Sequence, residues 1–139
     1  MQALSAVQLW HGDTDAALAS IELALELNPL ASHWASLTHG AVLWALERPL
    51  EALRALDACR VEQPHSWAVQ WVRVLALFEC GRVDEARATA AGLLSAQPLL
   101  TTSHLLARWS DAAAALRKRV RRAAAAVGIP MRPAPQSGL

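Results

Sequence analysis

The chain has 139 residues, a formal net charge of +1 and a hydrophobic share of 54%, which suits one domain with a continuous core. No apolar run approaches the roughly 18 residues that a membrane span needs. The start, MQALSAVQLWHGD, lacks the basic and apolar regions of a signal peptide, and two cysteines, Cys59 and Cys80, give no disulfide framework. A membrane-spanning chain and a disulfide-stapled secreted one are therefore excluded, and the cytoplasm is the expected compartment. The small net charge hides a polarity. Residues 1–98 carry six Arg against eleven Asp or Glu, whereas residues 99–139 carry seven Arg or Lys against one Asp.

Taken in order, residues 2–11 read as a short amphipathic helix closed by Gly12, with Asp13 as N-cap of the next. Over residues 15–27 the stripe Ala17, Ile21, Ala24 follows i, i+4, i+7, and Asn28-Pro29 stops the helix. A helix of about 31–46 carries Trp34, Leu37, Ala41 and Trp44. Pro49 then opens a helix of about 49–62 with the stripe Ala52, Leu56, Cys59. A helix near 66–80 carries Trp67, Trp71, Leu75 and Phe78 and is closed by Gly81; its partner, about 83–95, shows Ala86, Ala90, Leu93. The closing prolines at 29, 64 and 98 give spacings of 35 and 34 residues, a period that marks stacked helical hairpins. After Pro98 the pattern changes. A short helix over 101–108 precedes an Ala- and Arg-rich helix over 111–127, N-capped by Ser110 and stopped by Gly128 and Pro130, and residues 129–139 read as a flexible tail.

The three units resemble tetratricopeptide repeats. Gly12, Ala17, Ala24, Asn28 and Pro29 fit that signature in the first unit, Gly40, Ala52 and Pro64 in the second, and Gly81, Ala86 and Pro98 in the third; Glu47 stands where the family keeps a glycine. The resemblance implies an all-α, right-handed superhelix of antiparallel helix pairs over residues 1–128. Its units would be about 1–29, 30–64 and 65–98, with capping helices at 99–128. The end of the chain is also similar to the close of repeat arrays in bacterial cyclase or winged-helix regulators, through Leu93, Leu94, Pro98, Thr101, Arg108, Leu116, Arg117, Ala125, Gly128 and Pro130. That likeness, and an opening in mid-unit, point to a fragment of a larger regulator or a small descendant of one.

In this family one face of the first helices lines a concave groove. On that register Trp10, Trp34, Leu37, Ala41, Trp44, Trp71, Leu75 and Phe78 line it, an apolar aromatic surface suited to an amphipathic helix or apolar peptide. The competing reading makes these rings inter-helix core, or has them covered by the C-terminal helix. In that helix Ala112, Leu116, Val120, Ala123 and Val127 form a stripe that would cap the third unit. Arg117, Lys118, Arg119, Arg121 and Arg122 would then supply its solvated outer side, or a basic surface for an acidic protein in preference to nucleic acid. The five histidines, at 11, 33, 39, 65 and 104, do not pair at metal-ligand spacing, and Cys59 reads as a packing thiol. With no phosphate loop or nucleophile–base pair, neither a cofactor nor enzymatic activity is expected. The leading expectation is a protein-interaction scaffold, with self-association through apolar repeat faces as a further option. The alternatives are a ligand-sensing module of a transcription or signalling protein, and a secretion-type chaperone.

Overall fold

The apolar stripes become the buried faces of helices. The computed structural model describes residues 13–27, 33–62, 67–107 and 113–131, leaving aside the side chains of 33–34 and 58–62. In chain order it shows α1 (Thr14–Leu27), α2 (His33–Ala45), α3 (Pro49–Glu62), α4 (Trp67–Glu79), α5 (Val83–Ala96), α6 (Thr102–Leu106) and α7 (Ala114–Ala126). No strand occurs among the described residues. The expected helix over 2–11, Trp10, the Ser110 cap and the Cys59 side chain lie outside the description.

Each stripe read from the spacing is buried where it is described: Ala17, Ile21 and Ala24 on α1, Ala52 and Leu56 on α3, Ala86, Ala90 and Leu93 on α5. Consecutive helices pack from α1 to α5, and α2 also lies against α4. One apolar cluster runs from Ala17 through Trp44, Leu53 and Leu77 to Leu93, Leu116 and Ile129. A second, formed by Leu37, Leu56, Val69 and Val72, joins α2, α3 and α4.

The α2–α3 and α4–α5 joints are the same turn. The Glu47 amide donates to the Trp44 carbonyl and the Arg48 amide to that of Leu43; the Gly81 amide donates to Phe78 and the Arg82 amide to Leu77. In both, the second residue after the helix takes a left-handed backbone, with φ of 61° at Glu47 and 80° at Gly81. The next residue, Arg48 or Arg82, then offers its carbonyl to the first bond of the following helix, at 3.0 Å from the amide of Ala52 or Ala86. Each arginine also pairs with a glutamate three residues on, Glu51 or Glu85. Gly128, with φ of 86°, closes α7 in the same way.

Close approach between paired helices depends on small residues whose side alternates. A Cβ on Gly40 of α2 would sit 2.9 Å from Leu56 of α3, closer than packed carbons allow. Thirty-four residues on, the corresponding positions hold Val74 and Ala90, both fully buried, so the larger partner has moved to the other helix.

The ordered region runs past the expected boundary at residue 128. The Thr102 amide donates to the Pro130 carbonyl at 2.8 Å, the Ser103 hydroxyl donates to the Met131 carbonyl at 3.1 Å, and Ile129 is buried. Residues 129–131 are thus pinned to the start of α6 instead of belonging to a flexible tail. The sequence concealed this because Pro130 reads as a stop signal, while its carbonyl remains a good acceptor.

Candidate interaction surface

Of the eight residues expected to line a groove, Leu37, Trp44, Trp71 and Leu75 are buried, and Ala41 and Phe78 are half-buried. Trp10 and the side chain of Trp34 lie outside the described residues. The first four are core, and the reason is geometric. Helix α4 touches α2, α3, α5 and α7, so it is apolar nearly all round, with Val69, Trp71, Val72 and Val74 through Leu77 all buried. An apolar helix flanked on several sides keeps only narrow strips in contact with solvent. On α4 Trp67 and Gln70 are half-exposed near its start and Phe78 near its end, with the buried Trp71 and Val74 between them on the same face.

Helix α7 supplies part of the cover. Its stripe is buried at Leu116, Val120, Ala123 and Val127, and Ala112 is not described. Arg119 shows where the helix lies. Its guanidinium donates to the carbonyls of Trp44 and Ala45 at 2.8 and 2.9 Å, bonds Glu79 at 3.1 Å, and stacks 4.3 Å from the centre of the Trp44 ring. The carbonyls belong to the C-terminal end of α2 and the carboxylate to that of α4. A helix stacked only beyond α4 would stand about 20 Å from α2, at an interaxial spacing of about 8–10 Å per step. That is out of an arginine's reach. Helix α7 therefore lies across the ends of both helices, on the side that the groove reading gave to a partner.

The basic run accordingly divides. Arg119 and Arg117 face inward, Arg117 donating to the Leu106 carbonyl at 2.9 Å. Lys118, Arg121 and Arg122 are exposed. Arg87 of α5 in turn donates to Ala126 at 3.2 Å, so guanidinium groups close the carbonyl ends of α2, α6 and α7. A cation there also meets the negative end of the helix dipole. Treating all five basic side chains as one solvated surface is corrected for Arg117 and Arg119. The sequence held a signal for Arg119: it stands three residues after Leu116 and four before Ala123, at the edge of the inward stripe.

Groups suited to chemistry are sparse in this region. Burial lowers the pKa of the His39 imidazole below its ordinary 6.5; nearby Glu22 and Glu51 oppose the shift and Arg48 adds to it. Burial likewise raises the pKa of the Cys80 thiol, which disfavours the thiolate a nucleophile requires. His104 is tied into the cap of α6, where its Nδ1 lies 3.1 Å from both the Thr101 amide and hydroxyl. Among the described residues no three His, Cys, Asp or Glu side chains gather around one metal position, and no helix is long and apolar enough to cross a membrane. In comparison with known proteins, no family model, no curated protein and no solved structure matches the chain.

Proposed function

We propose that the chain is a protein-interaction scaffold of the tetratricopeptide-repeat type, a right-handed stack of helix pairs closed by α6 and α7. One observation supports this most: the joint at Glu47-Arg48 recurs at Gly81-Arg82 with the same hydrogen bonds, while α2 lies against α4. A repeated joint combined with contact between alternate helices is what stacking hairpins produces. Because α7 covers the ends of α2 and α4, the partner surface in this reading is formed by the half-exposed Trp67 and Gln70 at the start of α4 and Phe78 at its end. Aromatic side chains flanking a polar one suit an apolar peptide or an amphipathic helix.

Affinity capture compared between the wild-type chain and a Trp67→Ala, Phe78→Ala variant tests the proposal. One dominant protein, bound by the wild type and lost with the folded variant, is the expected result. A partner kept equally by both would place binding elsewhere. Native mass spectrometry showing a bound small molecule and no protein would favour the ligand-sensing alternative.

A further inference from the structure

Charge is segregated to the two ends more sharply than the overall balance suggests. No Lys or Arg precedes Arg48, and no Asp or Glu follows Asp111. Four ion pairs form among the described residues, Arg48 with Glu51, Arg73 with Asp57, Arg82 with Glu85, and Glu79 with Arg119, and the mid-chain Glu47, Arg54, Asp84 and Arg87 join none of them. At the two ends the charges outside these pairs are of one sign each. Asp15, Glu22 and Glu26 on α1, and Lys118, Arg121 and Arg122 on α7, are exposed and take part in none of the ion pairs among the described residues.

Both sets lie on single helix faces. On α1 the exposed residues Asp15, Ala19, Glu22, Leu23, Glu26 and Leu27 fall at i, i+4, i+7, i+8, i+11 and i+12, opposite the buried stripe. Leu23 and Leu27 are 45% and 68% exposed, so the acidic strip carries apolar surface of its own. On α7 the exposed Ala114, Ala115, Lys118, Arg121, Arg122 and Ala125 make a strip with basic side chains at its centre and small residues at its ends. The two helices, of 14 and 13 residues, are each about 20 Å long.

We propose that copies of this chain associate head to tail, the acidic strip of α1 on one copy docking against the basic strip of α7 on the next. The occupant of each face is a second copy because the two strips match in length and oppose in charge. Leu23 and Leu27 would pack over the alanines, which allow close approach. The contact joins two different surfaces, so it closes as a two-fold dimer where two copies make it reciprocally and otherwise extends into rings or chains. It uses none of the α4 residues proposed above for a partner and does not depend on that reading.

Sedimentation velocity on the full chain provides the test. Assembly should grow with protein concentration at about 0.02 M salt and weaken at least about tenfold at about 0.5 M, where exposed charges are screened. Lys118→Glu with Arg122→Glu should abolish it, and so should Glu22→Lys with Glu26→Lys. Mixing these two variants, or combining all four changes in one chain, should restore it. Circular dichroism checks that each variant is folded, and the salt series on the wild type stands even if one is not. A wild-type chain that stays monomeric at low salt up to about millimolar concentration, far above the working range of specific contacts, would overturn the proposal. So would assembly indifferent to the reversals, or variants that fail to re-associate when mixed.

Discussion

At the scale of single residues, Arg119 shows how little a basic run in a sequence says about its individual members. Its neighbours Lys118 and Arg121 meet water, while Arg119 meets two carbonyls, a carboxylate and an indole ring. Replacing it by Gln should cost about 2 kcal/mol, since hydrogen bonds from a charged group are worth more than neutral ones and the carbonyls lose their partner. Lys118→Gln should cost less than about 0.5 kcal/mol. Chemical denaturation of both variants checks the contrast; equal midpoints would mean that Arg119 is as solvated as its neighbours. Glu47 gives a prediction of opposite sign. With φ of 61° it holds a left-handed backbone that Gly81 adopts without a Cβ. Glu47→Gly should therefore raise stability by about 0.5–1 kcal/mol, the larger backbone freedom of glycine in the unfolded chain offsetting part of the relief. A lower denaturation midpoint would show that Glu47 is held by more than its turn.

At the scale of the elements, the α2–α3 hairpin depends on Gly40 lying under Leu56. Gly40→Ala improves helix propensity by up to about 1 kcal/mol but overpacks a buried contact, at a cost of about 1–3 kcal/mol. Net destabilisation is expected, and Leu56→Ala in the same chain should recover part of it. Thermal melts of the single and double variants, showing no coupling between the sites, would separate the two residues. Helix α2 also carries a pH dependence. Burial lowers the His39 pKa in the folded chain, so the unfolded chain binds the proton more readily between the two values. The contribution is complete above the ordinary 6.5 and is lost as pH falls below it. His39→Gln should flatten stability against pH between about 7 and 5. An unchanged slope would mean that His39 does not set it. Helices α1 to α5 were legible in the sequence because their apolar spacing and stop signals are local properties. The Glu47 joint was not, because a left-handed glutamate carries no mark in the sequence, and Glu47 reads only as a missing glycine.

At the scale of the whole molecule, the candidate site was the least legible part. Tryptophans at helical spacing, such as Trp44 and Trp71, serve a groove or a core equally well. For Trp44 what decides is the path of α7, a contact across some 75 residues of chain that periodicity cannot express. The stripe of α7 was readable as apolar, but the surface it would cover was not, since Leu116 and Val120 fit the end of the stack as well as the ends of α2 and α4. The exposed strips on α1 and α7 followed from helical spacing, while their lack of partners emerged only once the internal ion pairs were in place. The central claim is that α7 lies across α2 and α4, and nuclear Overhauser contacts between the Arg119 side chain and the Trp44 ring test it most directly. With the guanidinium 4.3 Å from the ring centre, cross-peaks to the indole protons and upfield-shifted Arg119 methylenes are predicted. Random-coil Arg119 shifts with no contact to Trp44 in the folded chain would contradict the claim and leave the face of α2 open to a partner.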